Sequence, residues 1–305
     1  MSMALVFTQI LVILLYIAVG FAAGKFGIIS PEQRKFLTGL CSNLILPFTI
    51  LSGASQSVEG EQLLSLGAAV VMMLGLFLLV TAATLLFHKV RATQSGIRAV
   101  SAGLLTYPNC TFLGLPLCKA LFGDIAVLHS AGAVVAFNVL FFTVQYSLFT
   151  GKKFNPKNLL TPSMLSTLAL ILMLVAGIHF PDPVQTVISN TGAMITPLSL
   201  IIIGVMLSES NLAAIVKEKG AYVITLLRNL LIPFVAVLLL RIFPVEQEAK
   251  LCVLVYIACP CAALTSIYAI KCDMEPEFSA HSVLLSTLFF AVSLPLILTL
   301  GQRLL

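Results

Sequence analysis

The sequence predicts an all-α membrane protein with ten transmembrane helices, and three observations lead to this prediction. Of its 305 residues, 59% are hydrophobic and 10% are charged, whereas soluble domains carry about 25% charged residues. The apolar residues fall into ten segments, each close to the roughly 20 residues that a helix needs to cross a bilayer. The fourth and ninth segments each contain a proline followed by polar residues, at Pro108 and Pro260.

The predicted spans follow one another with short connections, none of them long enough for a separate domain. They cover residues 4–24, 35–55, 62–87, 95–121, 126–149, 160–180, 184–207, 220–243, 250–271 and 278–300. The basic residues behind the net charge of +5 are scattered over short loops, so no nucleic-acid partner is predicted. The lipid bilayer is therefore the expected surrounding of most of the chain.

The placement of lysine and arginine predicts the orientation of the spans. With the N-terminus outside, twelve of the 17 basic residues fall at inner loops and span ends, and four fall on the outer side. Basic residues favour the cytoplasmic side of a membrane. We therefore expect a multi-pass protein of the cytoplasmic (inner) cell membrane with both its N- and C-termini outside, in agreement with an even number of spans.

The two halves of the chain resemble each other. Pro108 and Pro260 are 152 residues apart, and each break is followed by a span that opens with His-Ser, at His129 and His281, again 152 residues apart. This offset divides the chain into a first repeat, 1–150, and a second repeat, 151–305. Because five spans per repeat is an odd number, the second copy enters the membrane upside down, which makes an inverted repeat.

The breaks at Pro108 and Pro260 form the predicted functional centre. Proline lacks a backbone N–H and disfavours helix geometry in the residue before it. A helix broken at membrane depth is tolerated where it is buried in protein or lines a cavity. Inverted repeats bring the two breaks together near the midplane. The alternative is a pair of proline kinks that neighbouring helices satisfy, without a ligand.

Charge at the breaks predicts the kind of ligand. All twelve Asp and Glu residues fall in predicted loops or at span ends, so no fixed carboxylate neutralises the half-helix N-termini. These ends carry free N–H groups and partial positive charge, which suit an anion. The candidate substrate-binding residues lie at the two breaks and on the fifth span: Thr106, Pro108, Asn109, Cys110, Thr111, Asn138, Pro260, Cys261, Thr265 and Ser266.

Other polar residues within spans leave alternatives open. Arg228 is the one charge deep in a predicted span, where it compensates half-helix C-termini, attracts an anion or snorkels to the inner surface. His281 is a candidate for proton coupling, because imidazole titrates near neutral pH. Asn138 and Gln145 are seven residues apart and are predicted to share one face of the fifth span, beside the pathway or in interhelical hydrogen bonds.

The residue types also argue against several classes of protein. No catalytic constellation is visible, so an enzyme is not predicted, and the sequence calls for no metal and no cofactor. The seven cysteines lack the CxxC spacing of zinc or redox sites and are expected to be small buried thiols. A sodium/proton antiporter or a membrane transferase would need acidic residues within its spans, and this chain has none there.

The motifs around both breaks resemble those of the auxin efflux carrier family of membrane transporters, in its short bacterial form. The segment Asn109-Cys-Thr-Phe-Leu-Gly-Leu-Pro-Leu117 is similar to the family's Asn-Thr-Gly-Phe-x-Gly-x-Pro pattern. Arg228 in the eighth span and Pro260 in the ninth occupy matching places. The order and spacing of these motifs match over essentially the whole chain.

The resemblance implies a fold shared with bile-acid symporters and some sodium/proton antiporters. Spans 1, 2, 6 and 7 would form a scaffold domain, and spans 3–5 and 8–10 a transport domain in which broken helices 4 and 9 cross. Movement of one domain against the other would give elevator-type alternating access, and homodimers would form through the scaffold. Cys110-Thr111 replace the family's Thr-Gly and Cys261 replaces a glutamine of plant members, so auxin itself is not the implied cargo.

The combined expectation is a secondary transporter that moves a small organic anion, a carboxylate, with a proton or sodium ion as a possible coupling partner. Two alternatives stay open. The first is a sodium-coupled solute symporter on the same fold, in which neutral oxygens of Thr106, Asn109, Thr265 and Ser266 hold the ion. The second is a membrane sensor that binds its ligand without transporting it.

Overall fold

The computed structural model describes residues 3–55, 60–123, 125–209, 215 and 217–305. Within these ranges the chain is helical and has no strand, apart from an isolated bridge between Pro108 and Cys261. The α-helices are Met3–Lys25 (α1), Pro31–Leu40 (α2), Leu46–Leu51 (α3), Gly60–Val90 (α4), Ser95–Thr106 (α5), Leu115–Phe122 (α6), Ile125–Leu140 (α7), Tyr146–Thr150 (α8), Pro162–Ala176 (α9), Asp182–Ala193 (α10), Ile195–Ser208 (α11), Lys219–Leu226 (α12), Ile232–Leu240 (α13), Gln247–Ala258 (α14), Ala263–Lys271 (α15) and Pro276–Leu304 (α16).

Seven helical stretches in the described ranges are long and apolar enough to cross a membrane. They are Thr8–Lys25, Pro31–Ala54, Leu66–Val90, Gly132–Thr150, Asp182–Ser208, Lys219–Leu240 and Pro276–Leu304. Each coincides with one of the ten predicted spans. The other three predicted spans hold shorter helices: 160–180 contains the 15-residue α9, and 95–121 and 250–271 are each divided into two half-helices.

Among the described residues, four π-helical turns interrupt or extend these helices: Cys41–Ile45, Cys110–Gly114, Phe141–Gln145 and Leu227–Leu231. Three of them end two residues before a proline, at Pro47, Pro116 and Pro233. A proline cannot donate to the carbonyl four residues before it and crowds that carbonyl. The wider π turn ahead of the ring gives this carbonyl room.

Local sequence signals delimit several helices. Ser30 forms a capping box with Gln33 at the start of α2, and the Thr161 hydroxyl accepts the Met164 N–H at 3.1 Å at the start of α9. Gly151 and Gly177 end α8 and α9 with φ angles of 65° and 64°, a conformation that glycine adopts without steric cost. The short connection between the two halves of the chain therefore begins at a glycine cap.

The two divided spans are interrupted in the same way. Both α5 and α14 have 12 residues, and α14 begins at Gln247, 152 residues after α5 begins at Ser95. The residue after α5 is Tyr107 (φ −99°, ψ 114°), and the residue after α14 is Cys259 (φ −58°, ψ 150°). Each precedes a proline, which disfavours the helical conformation in that residue and so ends the half-helix.

Glycines allow α1 and α11 to pack closely. A Cβ atom added at Gly204 of α11 would overlap the carbonyl oxygen of Ile17, and one added at Gly20 of α1 would overlap the carbonyl of Ile201. Membrane helices associate through such small residues because the lipid supplies little hydrophobic drive between helices. The α1–α11 contact is therefore a backbone-to-backbone contact that larger side chains would separate.

The remaining helices pack in two groups. In the first group, α11 also contacts α2, and α3 contacts α9 and α10. In the second group, α4 packs against α5 and α7, α12 and α14 pack against α16, and α15 contacts α5 and α16. Contacts of α7 with α9 and of α1 with α16 join the groups.

Polar contacts between helix ends join residues that the sequence assigns to the same side of the membrane. Arg34 Nε lies 3.0 Å from a carboxylate oxygen of Glu209, and both residues belong to predicted inner ends. On the predicted outer side, His179 Nδ1 lies 2.8 Å from Ala54 O. In both contacts the residues that meet are ones for which the sequence predicts the same side of the membrane.

Replacing Gly204 with valine is expected to destabilise the protein, because the new side chain would collide with the α1 backbone. Overpacking of this kind costs about 1–3 kcal/mol and should appear as a lower Tm of the purified protein. Gly75→Val in α4 is the control, since a Cβ there meets no atom within 4 Å other than the nearby backbone of its own helix. Equal Tm values for the two variants would contradict the close α1–α11 contact.

Candidate functional site

The two breaks lie against each other in the interior of the protein. Pro108 and Cys261 form an antiparallel bridge. Asn109 N–H donates to Pro260 O at 2.8 Å, and Ala262 N–H donates to Tyr107 O at 2.9 Å. Backbone groups that lose their helix partners at one break thus bond to backbone groups of the other break. A membrane interior requires such pairing, because it offers no water as a partner.

New helical segments begin directly after the crossing. The side-chain Oδ1 of Asn109 accepts a hydrogen bond from Phe112 N–H at 3.3 Å and caps the turn Cys110–Gly114. After the second break, Cys261 N–H donates to Ser286 Oγ at 3.1 Å, and α15 begins two residues later. Neither segment has an acidic residue in its first turn. The N-terminal ends therefore carry no carboxylate of their own to offset their partial positive charge.

Arg228 lies where the other two half-helices end. Its side chain is 0% exposed. Nη1 donates to Leu105 O at 2.9 Å, Nη2 donates to Ile257 O at 2.9 Å, and Nε donates to Cys259 O at 3.1 Å. One guanidinium therefore contacts the C-terminal ends of both α5 and α14, which excludes the snorkelling alternative.

Two buried aromatic rings and one half-buried ring line one side of the first break. The Tyr107 ring lies 5.4 Å from the Phe137 ring and 5.0 Å from the Phe141 ring, measured between centroids. The neighbouring Thr106 hydroxyl lies 3.0 Å from the Thr81 hydroxyl. Sequence reasoning did not select Tyr107. Its place before Pro108 predicts an extended backbone, so its carbonyl oxygen is not bonded within a helix.

Gly103 of α5 brings two buried polar side chains together. A Cβ at Gly103 would lie 2.6 Å from Thr265 Cγ2 and 2.9 Å from Gln145 Nε2. Gln145 Nε2 donates to Ala99 O at 2.8 Å. Among the described residues, neither Gln145 Oε1 nor the Thr265 hydroxyl has a hydrogen-bond partner, although both residues are 0% exposed. Buried polar atoms without partners are rare and often mark functional positions.

Asn138 and Gln145 contact different neighbouring helices, although their spacing predicts one shared face. Asn138 Nδ2 lies 3.5 Å from Ser163 Oγ of α9, whereas Gln145 contacts α5. The π turn Phe141–Gln145 follows Asn138 in the same rod. A π turn holds more residues per turn than an α-helix, so it rotates Gln145 away from the face of Asn138. Asn138 Nδ2 donates to Val134 O of its own helix at 2.9 Å, and its contact with Ser163 is at the length limit of a hydrogen bond.

The remaining candidates differ in their surroundings. Cys110, Cys261 and Ser266 are all buried at the crossing, at 3%, 0% and 8% exposure. The side chain of Thr111 lies outside the described part of the structure. His281 lies in the second turn of α16, and its Nδ1 atom is buried without a hydrogen-bond partner among the described residues.

Ser199 of α11 is a further residue that sequence reasoning missed. Its hydroxyl donates to the carbonyl oxygen of Phe112 at 2.9 Å. This carbonyl lies four residues before Pro116, which leaves it without the usual helix partner. Asn109 accepts a hydrogen bond from the N–H of Phe112. Phe112 therefore links the first break, through Asn109, to α11, through Ser199. No pattern around Ser199 predicts this bond, which depends on how α11 packs.

Long apolar helices and a buried crossing of two interrupted helices together define an all-helical, multi-pass membrane protein. A family model described as "Membrane transport protein" matches residues 5–153 and 146–298. The chain belongs to this family, the auxin efflux carrier family of transporters, which confirms the resemblance seen in the sequence. It is also 22% identical over 303 residues to an uncharacterized transporter of Methanocaldococcus jannaschii, an alignment that covers 92% of this chain and 94% of that protein.

Replacing Ser199 with alanine is expected to leave the Phe112 carbonyl oxygen without a partner in the membrane interior. An orphaned buried acceptor costs about 1–3 kcal/mol, which should lower the Tm of the purified protein. Thr186→Ala is the control, because the Thr186 hydroxyl bonds to Asp182 O at an exposed position of α10. If both variants kept the wild-type Tm, Ser199 would have no part in holding the first break.

Proposed function

We propose that the protein is a secondary transporter that moves a small organic anion, a carboxylate, across the cytoplasmic membrane. The substrate is held between Pro108–Thr111 and Pro260–Ser266. The observation that carries this proposal is the unequal charge compensation at the crossing. Arg228 binds the C-terminal ends of both half-helices, while the N-terminal ends after the breaks have no acidic residue in their first turns.

The charge and polar groups of the N-terminal ends favour a carboxylate. A helix N-terminus carries about half a positive charge, so two such ends carry about one. A single carboxylate would offset this partial positive charge. The buried Thr265 hydroxyl, which has no partner among the described residues, adds a neutral donor in the first turn of α15.

The ten-helix inverted repeat is part of this proposal. The equal lengths of α5 and α14, their 152-residue offset and their shared pre-proline ends support two repeats. The two family matches, 5–153 and 146–298, meet near the proposed boundary between 1–150 and 151–305. In this arrangement the half-helices form the crossed spans 4 and 9.

An elevator movement would carry the crossing past the scaffold. The proposed scaffold contains spans 1, 2, 6 and 7, and the proposed transport domain contains spans 3–5 and 8–10. Two polar contacts run between these groups, the Ser199–Phe112 hydrogen bond at 2.9 Å and the Asn138–Ser163 contact at 3.5 Å. Sliding of packed helices would have to exchange these polar contacts for others in the opposite state. A homodimer formed through the scaffold, with all termini outside, completes the proposed assembly.

A sodium-coupled symporter is the second candidate, and one observation favours it. Gln145 Oε1 and the Thr265 hydroxyl are buried beside Gly103 without partners among the described residues. Neutral oxygens near broken helices can hold Na⁺ in transporters of this architecture. Sodium dependence of transport therefore separates the two candidates.

Counterflow in proteoliposomes tests the proposed function. Vesicles loaded with one unlabelled mono- or dicarboxylate should accumulate the same labelled acid from outside, because exchange through one site needs no external energy source. The panel is measured with and without Na⁺ and at two pH values. Binding without counterflow would favour a sensor, and absence of both across the panel under every gradient would reject an organic-anion transporter.

Asn109→Ala is expected to abolish counterflow while the protein still folds. The substitution removes the amide that caps the turn after the first break and would contact the substrate. Asn190→Ala, at an exposed position of α10, is the matched control and should transport at the wild-type rate. Size-exclusion profiles and Tm establish folding. Unchanged kinetics in Asn109→Ala would contradict the proposed site.

A further inference from the structure

Arg228 combines full burial with contacts to two different helix ends. Its side chain is 0% exposed, and its three guanidinium nitrogens donate to carbonyl oxygens at 2.9, 2.9 and 3.1 Å. Leu105 supplies one of these oxygens from α5, and Ile257 and Cys259 supply the others from the end of α14. We call these three oxygens the carbonyl cradle.

The partial negative charge of the carbonyl cradle is similar in size and opposite in sign to the charge of Arg228. A helix C-terminus carries about half a negative charge, so two of them carry about one. A guanidinium is always protonated in proteins and carries one positive charge. The one ion pair found within the described ranges joins Arg34 to Glu209. Backbone dipoles, rather than a carboxylate of the described residues, therefore balance Arg228.

The turn that carries Arg228 is attached to the second break through α16. Asn229 Nδ2 donates to Ser286 O at 2.9 Å, and Ser286 Oγ accepts the N–H of Cys261 at 3.1 Å. Ser286 therefore holds both the turn Leu227–Leu231 and the residue after Pro260. This frame keeps the guanidinium at a constant place relative to the crossing.

Carbonyl groups at unwound helix C-termini commonly coordinate the coupling Na⁺ or H⁺ in broken-helix transporters. In this chain the guanidinium already occupies those lone pairs, and its charge repels a second cation at short range. We propose that Arg228 takes the place of an alkali coupling cation at the crossing, so that the carbonyl cradle binds no Na⁺. Only the statement about coupling rests on the proposed function; occupation of the cradle concerns the folded protein alone.

Thermal unfolding of the purified full-length protein in detergent tests this without any cargo. Thr265→Val, which removes the unpartnered hydroxyl beside Gly103, should have the same Tm in sodium, potassium and choline salts at equal ionic strength. Arg228→Ala should unfold about 5 °C or more below the wild type, because three buried carbonyls lose their donors. Methylguanidinium or Na⁺ should restore part of this loss in a saturable way. Arg303→Ala, at an exposed arginine, is the control and should respond to neither cation.

A Na⁺-specific rise in Tm that persists in Thr265→Val, which lacks the unpartnered hydroxyl beside Gly103, would overturn the proposal, because it would indicate a sodium site at the carbonyl cradle itself. An Arg228→Ala protein with the wild-type Tm and no response to methylguanidinium would also overturn it. If this variant does not fold, Arg228→Lys keeps the charge with fewer donors and should have a lower Tm than the wild type. A lysine variant as stable as the wild type would contradict the three-carbonyl contact. A failed transport assay, by contrast, would count against the proposed function alone.

Discussion

Backbone N–H and C=O groups have no water to bind in the interior of a membrane, and the structure around the crossing depends on this constraint. Such groups lose their helix partners at two places, where α5 and α14 end at the breaks. The freed groups of one break pair with those of the other, through Asn109 with Pro260 and Ala262 with Tyr107. Side chains from other helices bind several of the remaining groups. Arg228 binds carbonyls at the ends of both half-helices, and Ser199 binds the Phe112 carbonyl that Pro116 leaves free. Each interruption is therefore stable only together with the helices around it.

The crossing is electrically asymmetric as a result. Its C-terminal ends are bound by a buried guanidinium, whereas its N-terminal ends lack an acidic residue in their first turns. A helix end without a counter-charge in a medium of low dielectric constant attracts a mobile ion of opposite sign. The proposed organic-anion substrate and the proposed replacement of a coupling cation by Arg228 both follow from this one asymmetry. They are separable by experiment, because the first concerns transport and the second concerns stability.

Prolines and glycines act on the packing as well as on the breaks. Three prolines follow π turns, and each such turn changes which side chains of its helix face a given neighbour. Glycines at the α1–α11 contact permit backbone approach, and Gly103 leaves the space that Thr265 and Gln145 occupy. Residues without large side chains therefore determine where the polar groups of this apolar protein meet.

The order of amino acids was sufficient to predict much of this architecture. Hydropathy located the seven long helices, the prolines located both breaks, and motif spacing identified the family, because each of these is a property of short segments of chain. Such short-segment properties could not predict the hydrogen-bond partners of individual side chains. Asn138 and Gln145 were predicted to share a face, and the intervening π turn separates them. The contacts of Ser199 and the three carbonyls around Arg228 join residues 87, 123, 29 and 31 positions apart. Only the folded arrangement decides such contacts, because they depend on the rotation and approach of whole helices, which local composition does not encode.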